Sequence, residues 1–284
     1  MKKFLSLLLA LTLALSLAAC GTSNTPAADR SGSASGDVAE PITLVVFAAA
    51  SMTETLTEIA GNYKTVAPNV TLCFNFDSSG KLLTQIEEGA LCDLFLSAAP
   101  KQMNALDGSL KDDAEKNPNG QDMLLEGSRL NLLENKVTLA VPEGNPKGIE
   151  SFDQLADLLQ NGEVMLAIGN SDVPVGQYTQ KIFAFYGIDE AAITDKLTYG
   201  NNVKEVTTQV TEAAADCGII YATDAFSAGL TVVDSATAEM CGQVIYPAAV
   251  LKDGQTEAAQ AFLDYLQTED AMTVFESVGF SPAN

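Results

Sequence analysis

From Ile42 onward the chain alternates short apolar runs with stretches whose apolar residues recur every three or four positions. The run "ITLVVFA" (42–48) predicts a buried strand, and residues 51–66 predict a helix with Met52, Leu56, Ile59, Ala60 and Tyr63 on one face. Ser51 followed by Glu54 matches a capping box, which makes Ser51 the expected N-cap of that helix. "VTLCFNF" is the next strand, "DSSG" leads into a helix carrying Leu82, Leu83 and Ile86, "DLFLSA" is a third strand, and Pro100 opens another helix. After a polar stretch at 111–122 the alternation resumes with "KVTLAVP", the helix "SFDQLADLLQ" capped by Ser151, "EVMLAIG", and a helix from "VPVGQ" with Pro174 near its first turn. "KLTYG" is extended, "NVKEVTTQVTEAAA" helical, "CGIIYA" a strand and "TDAFSAG" a short helix; "QVIYPAAVL" is another strand, and two helices close the chain. This alternation predicts an α/β fold with parallel sheets covered on both faces, and so many strand–helix units predict two α/β lobes.

The first 39 residues break the pattern. Lys2 and Lys3, an apolar run "FLSLLLALTLALSLAA" and "LAAC" ending at Cys20 match the leader of an exported bacterial chain. Cys20, directly after Ala18–Ala19 and before Gly21, resembles a lipobox, so residues 1–20 are expected to be a signal peptide and Cys20 the lipid-attachment residue. An uncleaved anchor is the alternative, but the apolar run is short for a spanning helix. Residues 21–39, rich in Gly, Ser, Ala and Pro, predict a flexible tether. The folded part is therefore expected outside the cell membrane, held to it by lipid.

Charge narrows the partners. Without Lys2 and Lys3 the chain has 13 basic against 37 acidic residues, a formal charge of −24. No basic stripe exists to neutralise phosphates, so nucleic acid is excluded as a partner. Histidine is absent altogether, which removes His-based triads and imidazole metal sites. Beyond Cys20, the remaining cysteines, Cys73, Cys92, Cys217 and Cys241, fit no zinc spacing. Export permits disulfides among them, and free buried thiols are the equal alternative.

Several strand-to-helix junctions share a chemistry: "AAAS", "DSSG", "LSAAP", "DVPVG" and "NNV". Each is small or polar, and each lies where a strand's carboxyl end feeds a helix N-terminus, the edge at which open α/β sheets bind ligands. Helix N-termini offer unpaired N–H groups and the positive end of the macrodipole, so they suit anions. Small residues before a helix also occur for packing alone. A single such junction is structural more often than functional; five together raise the case for an anion site.

The runs "ITLVVFAAASMTETL", "FDSSGKLLTQIEEGALCDLFLSA", "AIGNSDVPVGQYTQK", "CGIIYATDA" and "YPAAV", in this order, resemble the molybdate-binding components of ABC transporters across essentially the whole folded chain. That resemblance implies a type II periplasmic-binding-protein fold with a ligand cleft between two α/β lobes, lobe I at 40–134 plus 243–284 and lobe II at 135–242. It implies a tetrahedral dianion, molybdate or tungstate, held by the hydroxyls and N–H groups of Ser51 and Ser79, the backbone N–H groups of Ala98, Val175 and Val203, and the hydroxyl of Tyr221. An ABC permease would be the membrane partner and the protein a monomer, with no cofactor, no direct metal ligand and no catalysis. A donor-only site would penalise a protonated oxyanion, which needs an acceptor for its own hydrogen. Sulfate would be excluded by size. Asp77 stands where the family usually has a small neutral residue; it reads as a local turn residue or as an acceptor for a protonated oxyanion, with Lys81 close by.

Two other classes remain as alternatives. The first is a receptor for sulfate or another oxyanion. The second is a cell-surface serine hydrolase, suggested by S-x-x-K at Ser78–Lys81, but the K-T-G triplet of that motif set is absent. "GK" lacks the upstream glycine of a P-loop, and "KDDAE" and "TED" lack EF-hand spacing.

Overall fold

The computed structural model describes residues 40–283. The expected signal peptide, Cys20 and the tether lie outside the described residues. In chain order the first elements are β1 (Ile42–Ala49), α1 (Thr53–Val66), β2 (Val70–Asp77), α2 (Ser79–Glu87), β3 (Leu94–Leu96), α3 (Pro100–Asn104) and β4 (Leu130–Asn135). There follow β5 (Val137–Val141), α4 (Phe152–Gln160), β6 (Leu166–Gly169), α5 (Pro174–Tyr186), β7 (Leu197–Gly200), α6 (Val203–Thr211), β8 (Cys217–Tyr221), α7 (Ala222–Ser227) and β9 (Thr231–Ser235). The chain closes with α8 (Ala238–Cys241), β10 (Val244–Val250), α9 (Thr256–Tyr265), α10 (Glu269–Ser277) and β11 (Ser281–Pro282).

These strands form two sheets, each the base of one α/β lobe. One has the order β11-β4-β10-β3-β1-β2, the other β7-β6-β8-β5-β9. The chain passes from the first to the second across the single residue Lys136, between β4 and β5, and returns between β9 and β10.

Neither sheet is purely parallel, which corrects the expectation from alternation alone. β1 runs parallel to β2 and β3, but β10 lies antiparallel to both β3 and β4. In the second sheet β6 is parallel to β7 and β8, whereas β5 is antiparallel to β8 and β9. The reason is the double crossing: β5 and β10 enter their sheets from the other lobe instead of through a local helix, so no right-handed crossover fixes their direction. The central strands are buried on both faces, as in β5 and β8, where every residue is buried. Such strands read as continuous apolar runs.

Local signals account for most element starts. Ser151 caps α4 by accepting from the Gln154 N–H at 3.1 Å, and Pro100 and Pro174 occupy the first turns of α3 and α5, where no N–H is needed. Strands β4, β9 and β11 and the short α8 are absent from the sequence expectation. β9 is a largely exposed edge strand, so the burial that writes a hydrophobic pattern is missing there. Cys73, Cys92, Cys217 and Cys241 are all free thiols. Burial pushes Cys92 and Cys217 up to about 12, so both stay protonated in the core.

Candidate functional site

Between the two sheets, at the carboxyl ends of β1, β2 and β3 on one side and β6, β7 and β8 on the other, lies a small cavity. Its wall is formed by Ala49, Ala50, Ser51, Asp77, Ser78, Ser79, Ala98, Val173, Pro174, Val175, Val203 and Tyr221. All six site residues expected from sequence meet there: Ser51, Ser79, Ala98, Val175, Val203 and Tyr221. The cavity is small, far below the size of an organic ligand pocket and on the scale of a single small ion. Among the described residues, no lysine or arginine lines it.

Helix starts make up most of this wall. Ser79 is the first residue of α2, Val203 the first of α6 and Val175 the second of α5, positions whose N–H groups have no intrahelical partner. Gly176 lets α5 begin hard against the end of β6, since a Cβ there would fall 2.3 Å from the Gly169 carbonyl oxygen. The alanines before Ser51 keep the wall free of side-chain bulk.

Ser51 departs from its expected role. Residues Ala50–Met52 form a 3-10 turn, α1 starts only at Thr53, and its N-cap Met52 makes no side-chain capping bond. The Ser51 hydroxyl instead pairs with the Tyr246 hydroxyl of β10 at 2.9 Å, 195 residues away in sequence. A long-range polar partner has displaced the local capping box.

The Ala98 N–H also differs from expectation. It is not offered to the cavity but donates to Ser79 Oγ at 2.9 Å. With its acceptor role filled from behind, the Ser79 hydroxyl has its own hydrogen to direct forward. Tyr221 is wholly buried, and its hydroxyl, although it lies beside that of Tyr246, makes no hydrogen bond of good geometry. Burial, followed by the neighbouring Tyr246 and Tyr178, raises its pKa well above the usual phenol value, so it is a neutral donor at physiological pH.

Asp77 lies in the wall, but its carboxylate is engaged. Oδ1 accepts from the Ser78 N–H at 2.7 Å and from Asn202 Nδ2 at 3.3 Å, and Lys81 stands 3.5 Å away. Ser78 Oγ accepts the Lys81 backbone N–H at 3.4 Å and so caps α2. The S-x-x-K spacing is thus a helix cap, and Asp77 serves as a turn residue that also reaches the other lobe.

Other contacts cross the cleft. Gln102 Nε2 meets Gln177 Oε1 at 3.4 Å, and Lys204 on α6 donates to both carboxylate oxygens of Glu54 on α1 at 2.8 and 2.7 Å. Lys204 also stands 3.2 Å from Asp224 of α7, without the alignment of a hydrogen bond. Burial pushes the Asp224 carboxyl up to about 6, and Lys204 offsets this only in part. Burial acts to lower Lys204, but Asp224 and Glu54 together hold it above its ordinary value. A carboxyl raised on folding contributes stability that is fully present below its unfolded pKa of about 4 and is lost as pH rises through about 6. Wild type should therefore gain stability relative to Asp224→Asn as the pH falls from 7 to 4. Denaturant unfolding of both proteins across that range checks this; a pH-independent difference would mean that the carboxyl titrates normally.

Comparison with known proteins agrees with this architecture. The chain matches the family of bacterial extracellular solute-binding proteins over residues 44–281. It is 32% identical over 287 residues to YvgL of Bacillus subtilis, described as an ABC transporter substrate-binding lipoprotein, covering 99% of this chain and 98% of that one. The molybdate-binding protein ModA of Mycobacterium tuberculosis is 32% identical over 267 residues, 93% of this chain and 92% of its own. Among solved structures, the periplasmic molybdate-binding protein of Azotobacter vinelandii superposes with a TM-score of 0.70 at 20% identity, covering 85% of this chain and all of that one. The family match and the whole-length relatives together establish that the chain belongs to the bacterial extracellular solute-binding protein family.

Proposed function

We propose that this protein is the substrate-binding component of an ABC importer and that its cavity takes a tetrahedral oxyanion dianion, molybdate or tungstate. The observation that carries the reading is the Tyr221 hydroxyl, buried and unpartnered in a cation-free cavity on which three helix N-termini and two serine hydroxyls also converge. A buried hydroxyl without a partner costs about 1–3 kcal/mol, a cost that an anionic oxygen at the cavity centre removes. Each hydrogen bond to a charged group contributes about 1.5–3 kcal/mol, so several neutral donors hold a dianion without a lysine or arginine. Because the charge is met locally by oriented dipoles, the protein's own net charge of −22 is no obstacle.

Closure of the lobes over the anion would bring together the cross-cleft contacts of Glu54, Asp77 and Gln102 and present the closed form to a membrane permease. The lipobox-like sequence at Cys20 and the lipoprotein relative support tethering to the outer face of the membrane. Binding without bond cleavage makes the protein a receptor, not an enzyme. Titration calorimetry on the full-length chain in mild detergent, with molybdate, tungstate, sulfate and phosphate in turn, tests the reading. One-to-one binding of the first two, far tighter than of the others, is expected. Stronger binding of sulfate would reassign the ligand, and silence for all four would remove the oxyanion function.

A further inference from the structure

Behind Ser51 runs a chain of hydrogen bonds whose direction is set from one end. The backbone N–H of Lys136 donates to Asn135 Oδ1 at 2.8 Å, which fixes the orientation of the Asn135 amide. Its Nδ2 then has two hydrogens to give, one to Thr223 Oγ1 at 3.0 Å and one to Tyr246 Oη at 3.2 Å. Tyr246 is 1% exposed, and its remaining partner is Ser51 Oγ at 2.9 Å. Since the tyrosine oxygen already accepts from Asn135, its single hydrogen goes to Ser51. The Ser51 hydroxyl cannot turn back toward Tyr246 without setting two hydrogens face to face, so its own hydrogen has only the cavity to point into.

From this polarity we infer that Tyr246, oriented by Asn135, is a specificity-determining residue: it turns the Ser51 hydrogen into the cavity and thereby disfavours oxyanions that carry a proton, which meet a donor there. The inference rests on the oxyanion reading of the cavity and deepens it. Ser79 is locked in the same sense by the Ala98 N–H, but that donor is backbone and no side-chain change removes it. Tyr246 does not line the cavity; it acts through Ser51, from β10 in one lobe. Asn135, at the Lys136 crossing, joins it to Thr223 in the other lobe. Both residues are buried, so no water competes for their hydrogens.

The test uses a pair of ions that isolates the proton. Sulfate and hydrogen phosphate are close in size and equal in charge, and they differ by one hydrogen, which needs an acceptor. In the full-length protein, both are competed against bound molybdate at slightly alkaline pH, in wild type and in Tyr246→Phe. Wild type should prefer sulfate to hydrogen phosphate. In the variant the Ser51 hydroxyl is free to rotate and accept, and that preference should shrink about tenfold. A merely structural role for Tyr246 would weaken both ions alike and leave the ratio unchanged. Should Tyr246→Phe fail to fold, Asn135→Leu removes the donor behind the tyrosine, together with the bonds to Thr223 and the Lys136 N–H, and should shift the ratio in the same direction. A wild-type ratio in the folded variants overturns the role of Tyr246. Failure of wild type to bind molybdate, tungstate or sulfate at all overturns instead the oxyanion reading on which it stands.

Discussion

Replacing Gly80 with alanine is expected to weaken molybdate binding about ten- to hundredfold, with the ligand-free protein as stable as wild type or slightly more so. Gly80 is the second residue of α2 in the first lobe, and a Cβ built on it would lie 2.1 Å from the carbonyl oxygen of Asp172 in the second. That oxygen is backbone and cannot swing aside as a side-chain tip would. Within its own lobe the substitution is benign, because alanine is a better helix former than glycine by about 1 kcal/mol. The clash therefore arises only when the lobes approach, and its cost falls on the closed state. Calorimetric titration gives the affinity, and thermal unfolding without ligand gives the control. Unchanged affinity would mean that binding does not require Gly80 and Asp172 to meet.

Ser79→Ala is expected to lower affinity for molybdate at least tenfold, and Ser51→Ala comparably. Each removes one hydroxyl donor to a charged oxygen, a bond contributing about 1.5–3 kcal/mol. Each also strands the group behind it: the Ala98 N–H in the first case, the Tyr246 hydroxyl in the second. The stranded donor destabilises both ligand-free and bound forms, so it lowers the unfolding temperature without adding to the loss of affinity. Measuring both quantities separates the two effects. Wild-type affinity in both variants would remove these hydroxyls from the site.

Much of this protein is legible in its sequence because burial writes a pattern. β5, β6 and β8, and β1 over its last four residues, are covered on both faces and read as apolar runs, while α4, with Phe152, Leu155, Ala156 and Leu159 on its buried face, reads as an amphipathic helix. The exposed β9 and the late start of α1 were not legible. In the second case a local rule, serine with glutamate three residues on, competes with a tyrosine 195 residues away, and the tyrosine wins. The helix-start chemistry of the site was visible as small and polar junctions, since a close backbone approach needs residues with little side chain. The layer behind those junctions was not, because nothing in "YPAAV" or "LLEN" marks Tyr246 or Asn135 as facing Ser51.

By itself, then, the sequence determined the alternating elements, the helix starts that make up the cavity wall and the absence of histidine chemistry, because each of these depends on a residue and its near neighbours. Tertiary structure alone decided the antiparallel entry of β5 and β10, the cross-cleft approach of Gly80 to Asp172 and the direction of the bonds behind Ser51. Each of those joins groups far apart along the chain, and only the packing of one lobe against the other brings them within reach of steric contact or a hydrogen bond.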